Sequence, residues 1–101
     1  MLPRLMRAML ENPREWVSDV PTVFRFSRYR VVIYPNDHRP AHVHVIGPDA
    51  EAVFVLNCPD GPPELRESIG LAAPELNVIA DRLGSELTTL CPAWRSIHHD
   101  Y

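Results

Sequence analysis

The sequence predicts an α+β domain in which a small antiparallel β-meander of about four strands packs on a long C-terminal helix. Three observations indicate this class. Short segments rich in aromatic and β-branched residues lie between Pro21 and Leu56, prolines and polar residues separate them, and from Pro74 onward apolar residues recur at helical spacing. A group of strands followed by a helix, without alternation of the two, is typical of α+β domains.

Residues 1–20 differ in character from the rest of the chain. They show a short apolar helical pattern that breaks at Pro13, and we interpret them as an N-terminal extension with a short helix. Residues 21–101 form the predicted single α+β domain, because strand-like segments begin directly after Pro21.

Four segments predict two β-hairpins. "TVFRF" and "YRVVIY" are rich in aromatic and β-branched residues and form the first hairpin. "HVHVI" alternates strictly, and "EAVFVL" follows it after the turn "GPDA", which predicts the second hairpin. The loop "NCPDGPP" then ends the sheet, because proline cannot donate to a strand ladder.

The last part of the chain predicts one long amphipathic helix. Pro74 suits its first turn, whereas Pro92 lacks a backbone N–H and is expected to kink or split the helix near Cys91. The apolar residues recur at three- and four-residue steps, which predicts one buried face. That face comprises Leu76, Ile79, Leu83, Leu87, Leu90, Trp94 and Ile97.

Composition and charge restrict the class of protein. The chain has 101 residues, 46% of them hydrophobic, which suits one globular domain. No apolar run approaches the roughly 20 residues needed to cross a bilayer, so no membrane partner is expected. Residues 21–46 carry four arginines and one aspartate, a charge of +3 within a chain of net charge −3. Arginine suits phosphate and carboxylate partners, so an acidic or polyanionic partner is expected at this basic segment.

The two cysteines predict a cytoplasmic protein. Cys58 and Cys91 lie far apart in the sequence, and the N-terminus has neither an uninterrupted apolar stretch nor a small-residue cleavage site. Two cysteines in a protein without a secretion signal are usually reduced. We therefore predict two free thiols, and a cytoplasmic location.

The segment "YPNDHRPAHVHV" holds three of the five histidines. Side chains alternate along a strand, so His42 and His44 are expected on the same face, with Cα atoms roughly 6.5–7 Å apart. Val43 and Val45 take the opposite face and should pack against the helix, which leaves the imidazoles on the more open side.

The preceding strand and the loop extend this polar patch. Arg30 and Tyr34 share one strand face and are expected beside the two histidines, while Asp37, His38 and Arg39 lie at the edge. We assign binding roles to Arg30, Arg39, Asp37 and His38. The histidines of the C-terminal "IHHDY" are interpreted as part of a solvated tail.

Three interpretations of the histidines stay open. In metal-independent RNA cleavage, His42, His44 and Tyr34 would be the catalytic residues and the arginines would stabilise the phosphate. In a metal site, His38, His42 and His44 would bind an ion such as zinc, with Asp37 as the alternative to His38. In the third interpretation the histidines only hydrogen-bond loop carbonyls, fix the turn or face a partner protein.

The segments quoted above resemble a small bacterial family known as domain of unknown function four-one-six-zero. The resemblance runs from Pro21 to about His98, and "NDHRPAHVHV" is its most specific part. Members usually have two prolines between the histidines, and Ala41 replaces the second one here. The family resembles toxin–antitoxin components, which implies a small cognate protein as the partner, whereas the histidine and arginine patch suggests RNA.

Together these expectations describe a small cytoplasmic protein of the toxin–antitoxin type that acts through a His/Arg patch, by RNA binding or by metal-independent RNA cleavage. The alternatives are a non-catalytic antitoxin or adaptor, and a metal-binding protein that uses the H-x3-H-x-H cluster. Whether the protein is an enzyme stays open. No cofactor is expected unless the metal alternative applies, in which case zinc is expected.

Overall fold

The computed structural model describes residues 22–99 and shows one antiparallel sheet followed by two helices. The strands lie in chain order across the sheet, so every connection joins neighbours and the sheet is a meander. The α+β prediction is confirmed, with five strands in place of about four. The elements are β1 (Thr22–Phe26), β2 (Tyr29–Val32), β3 (His42–Gly47), β4 (Ala50–Val55), β5 (Glu64–Ile69), α1 (Ala73–Ser85) and α2 (Leu87–His98).

The fifth strand, "ELRESI", carries no alternating apolar pattern. It lies at the edge of the sheet, where Glu64 pairs with Val55 and Ile69 pairs with Glu51. All six of its residues are exposed or half-exposed, so backbone pairing with β4 holds the strand and burial contributes little. Hydrophobic periodicity cannot detect a strand of this kind.

The core lies between one face of the sheet and the two helices. Val31 pairs with Val45, and Val43 pairs with Phe54, so these side chains share a face. All four are fully or almost fully buried, which confirms that the valine face packs against the helices. The helices contribute Ile79, Leu83, Leu87, Leu90, Cys91 and Trp94 to the same core.

The predicted long helix is divided at Glu86, not near Pro92. Glu86 has φ −113° and ψ 14°, and its carbonyl accepts hydrogen bonds from Thr89 and Leu90 at the start of α2. Pro92 lies inside α2 on its exposed side. The backbone carbonyl one turn earlier receives no hydrogen bond from proline, and water can donate to it there. Gly84, which has low helix propensity, precedes the break.

The prediction of two reduced thiols is wrong, because Cys58 and Cys91 form a disulfide with an S–S distance of 2.05 Å. Cys91 is buried on the inner face of α2, and the loop after β4 brings Cys58 within a Cα–Cα distance of 5.8 Å. That spacing is in the normal range for a disulfide. The sequence separation of 33 residues gave no sign of this approach. The cytoplasmic location, which rested partly on free thiols, stays a prediction.

Two further predictions concern the N-terminal extension and the absence of a membrane-spanning segment. The N-terminal extension over residues 1–20 lies outside them. Within residues 22–99, neither helix has the length and the apolar character that a bilayer crossing requires.

Candidate metal centre

Strand β3 places the imidazoles of His42 and His44 on one face, with ring centroids 5.5 Å apart. His44 lies between Val32 of β2 and Val53 of β4, which are both buried. His42 is only 6% exposed, because the ring of Trp94 from α2 lies 5.1 Å from it. The two histidines therefore share a face as predicted, but His42 is not on an open side of the sheet.

The loop after β2 brings an aspartate to the histidines. The Asp37 N–H donates to the Tyr34 carbonyl at 3.0 Å, which closes a turn. The turn places Asp37 Oδ2 3.2 Å from Nε2 of His42 and 3.2 Å from Nε2 of His44. One carboxylate oxygen thus contacts the same nitrogen of both rings.

The other nitrogen of each ring contacts an oxygen that can only accept a hydrogen bond. Nδ1 of His42 lies 2.8 Å from the carbonyl oxygen of Pro40, and Nδ1 of His44 lies 3.2 Å from Oε2 of Glu51. A hydrogen on each Nδ1 satisfies both of these contacts. A neutral imidazole has one N–H, so in this tautomer Nε2 of both histidines presents a lone pair to Asp37.

In this tautomer three lone-pair donors converge, from Nε2 of His42, Nε2 of His44 and Oδ2 of Asp37. These atoms all lie within 4.8 Å of one another, and neutral histidines place no hydrogen between them. Such an arrangement is repulsive unless a cation lies at its centre. Ligands at about 2.0–2.1 Å from a tetrahedral zinc lie about 3.3 Å from each other, close to the two observed distances of 3.2 Å.

The surroundings match those of metal-binding histidines. Such histidines usually donate their second N–H to a backbone carbonyl or a carboxylate, which fixes the tautomer and the ring orientation. The Pro40 carbonyl and Glu51 have these positions here. Two histidines and one carboxylate also form a common three-ligand set, with further coordination positions left open.

The structure brings some of the predicted site residues together and leaves others apart. Of the predicted metal ligands, His42 and His44 belong to the cluster and His38 does not, because His38 is exposed. Asp37, considered as the alternative to His38, is the third member. The Tyr34 ring meets His44 edge-on, with centroids 4.6 Å apart, as expected for one patch.

Two predicted binding residues lie further from the three ligand atoms. Arg30 is on the same sheet face as His44 but pairs with Ile46, two positions along β3. Arg39 is exposed and lines a shallow depression next to the cluster.

Three residues of the site were missed by sequence reasoning. The position of Glu51 could have been predicted from the sequence. The tight turn pairs Gly47 with Ala50, which puts Glu51 diagonally opposite His44 on the same face of the sheet. Trp94 and His98 gave no such signal, since they reach the site through the packing of α2 on the sheet. His98, interpreted as part of a solvated tail, is in fact half-buried and stacks on Trp94 with ring centroids 3.9 Å apart.

Fold and site together define a small α+β protein with a two-histidine, one-carboxylate cluster at the start of the central strand of its sheet. The chain belongs to the family described as Domain of unknown function (DUF4160), whose model matches residues 29–95. The match includes Asp37, His42 and His44, and it lies inside the region over which the resemblance was predicted. No curated protein and no solved structure matches the chain.

Proposed function

We propose that this protein binds a divalent transition-metal ion, zinc in the first place, through Asp37, His42 and His44. The supporting observation is that Nε2 of His42, Nε2 of His44 and Oδ2 of Asp37 all lie within 4.8 Å of one another, while Nδ1 of each ring contacts a separate oxygen acceptor. One ion satisfies all three atoms at once. Three protein ligands leave a fourth position for water or a ligand, as in catalytic zinc sites, where the ion lowers the pKa of bound water to about 7.

A bound proton is a weaker explanation of the same geometry. To donate to Asp37 while keeping its contact with Glu51, His44 would have to be an imidazolium between two carboxylates. His42 would still direct a lone pair at the same Asp37 oxygen, unless it were protonated as well. Two imidazolium ions 5.5 Å apart, one of them buried, repel each other.

RNA binding or metal-independent RNA cleavage, in a toxin–antitoxin pair, is the second candidate function. The patch supports it by grouping His42, His44 and Tyr34. Acid–base catalysis requires a ring nitrogen within hydrogen-bond reach of the substrate. Both rings are largely buried, with side chains 7% and 16% exposed, and their Nε2 atoms face Asp37, so an ion between these three atoms is the better-supported proposal. A non-catalytic antitoxin or adaptor would use the same surface only for docking.

Metal analysis of untagged protein tests the proposal. We expect about one zinc ion per chain after purification without chelator, and loss of that metal in His44→Asn and Asp37→Asn, because two ligands hold an ion poorly. Glu51→Ala should bind zinc about 10- to 100-fold more weakly without losing the site, since Glu51 only orients His44. His99→Asn is the matched control, because His99 is exposed and its φ of 70° suits asparagine.

Two measurements complete this test. Zinc added to the metal-free protein should raise the melting temperature of the wild type and of His99→Asn, because an ion that binds only the folded state stabilises it. A folded wild type that gains neither bound zinc nor stability would rule out the metal site. Cleavage of labelled RNA by the metal-free protein would instead favour the second candidate.

A further inference from the structure

A shallow depression adjoins the metal cluster. It is lined by Asp37, His38, Arg39 and His98. Asp37 therefore belongs to both sites, and the other three residues bring a guanidinium and two imidazoles to the same place. A ligand in this depression would lie against the metal and against a group of hydrogen-bond donors.

Exposure shows from which side a ligand can approach the metal. The side chains of His42 and His44 are 7% and 16% exposed, whereas that of Asp37 is 21% exposed. Asp37 is the most accessible of the three proposed ligands, and it is also the one that lines the depression. The open coordination position should consequently face the depression.

Formal charges identify the class of ligand. Among the four residues that line the depression, Asp37 and Arg39 carry opposite formal charges, so the lining is neutral when no ion is bound. A divalent cation changes that value to +2. An anion is therefore complementary to the site only when the metal is present, and Arg39 offers the planar fork that suits phosphate oxygens.

His98 adds a hydrogen-bonding group to the depression. Its ring stacks on Trp94, and its Nε2 atom is shielded from solvent and has no hydrogen-bond partner within residues 22–99. Such an atom is unfavourable until it finds a partner. A ligand oxygen in the depression that His98 lines can provide one only when the imidazole turns to expose Nε2.

We propose that this depression binds a phosphate group, with one oxygen on the metal and another on Arg39, and with His98 beside it. This inference rests on the proposed metal site and assigns that site a ligand class. The phosphate could come from inorganic phosphate, from a nucleotide or from an RNA chain, which share the same recognised chemistry.

Cobalt substitution tests the metal and the anion separately. The metal-free protein is loaded with Co²⁺, whose visible absorption reports the coordination geometry, and is then titrated with inorganic phosphate, adenosine monophosphate or a short single-stranded RNA. We expect the cobalt spectrum to change with saturation when phosphate is added. The ligand that saturates at the lowest concentration identifies the source of the phosphate.

Variants at Arg39 show whether the depression takes part. Arg39→Gln should keep the cobalt spectrum but weaken phosphate binding about tenfold or more, which is the usual effect of losing a charged hydrogen bond. Arg39→Lys should recover only part of that loss, because ammonium is not a two-pronged donor. Arg66→Gln is the control, since Arg66 is exposed on β5, two strands from β3, and should bind phosphate as the wild type does.

The outcomes are distinguishable. Absence of a cobalt spectrum would remove the metal site and this inference with it. A cobalt spectrum that none of the three phosphate ligands changes would leave the metal site in place and overturn the inference. Equal phosphate binding by the wild type and Arg39→Gln would show that the metal alone binds the anion, which would also overturn it.

Discussion

Reduction of the Cys58–Cys91 disulfide should destabilise the domain strongly. The bond closes a loop with a sequence separation of 33 residues. In the chain-entropy relation, a loop of that length restricts the unfolded state by about 3.7 kcal/mol at 25 °C. For a domain of this size, such a loss lowers the melting temperature by about 15–30 °C.

Urea unfolding followed by far-ultraviolet circular dichroism, with and without a thiol reductant, measures this difference. A chelator should be present in both samples, so that zinc binding does not contribute to the free energy of unfolding. The double variant Cys58→Ala/Cys91→Ala is the control, because its stability should be low and insensitive to reductant. A wild type that loses less than about 1 kcal/mol on reduction, far below the value from the chain-entropy relation, would refute the reasoning.

Two further substitutions test the backbone and the surface. Gly70→Ala should reduce the free energy of unfolding by about 2 kcal/mol or more in the same urea assay, because Gly70 has φ 78° and an added Cβ would meet the backbone carbonyl of Asp49; a loss below about 0.5 kcal/mol would contradict this. Glu75→Gln removes the ion pair with Arg28, whose side chain is 59% exposed, and should change stability by less than about 0.5 kcal/mol; a larger loss would mean that the pair contributes more than its exposure suggests.

The sequence predicted those parts of the fold whose signal is local. The alternation in β3 and the apolar repeat from Leu76 to Ile97 reflect burial on one face, so both could be recognised from spacing. The edge strand β5 is held by backbone pairing, and no residue type marks that interaction. The disulfide depends on the approach of a loop to a helix, which sequence separation does not reveal.

The candidate site was also predicted only where its signal is local. His42 and His44 were placed together because alternation along one strand is a local property. Asp37 belongs to the cluster and His38 does not, because of the turn after Tyr34. The turn brings the side chain of Asp37 to the histidines and leaves that of His38 exposed. Adjacent loop residues cannot be separated in this way from sequence, because no periodicity governs their orientation.

Two of the three separations among the proposed ligand atoms already match those around a bound ion. Asp37 Oδ2 lies 3.2 Å from both Nε2 atoms, so little rearrangement is needed to reach the ligand separation of about 3.3 Å in a tetrahedral zinc site. The Pro40 carbonyl holds one ring, and Trp94 packs against the same ring. Trp94 lies one turn after Cys91, whose disulfide fixes α2 to the loop after β4. The disulfide, which restricts the unfolded chain, thus also supports a proposed ligand, and an ion that bound at a site with such rigid neighbours would not first have to order its ligands.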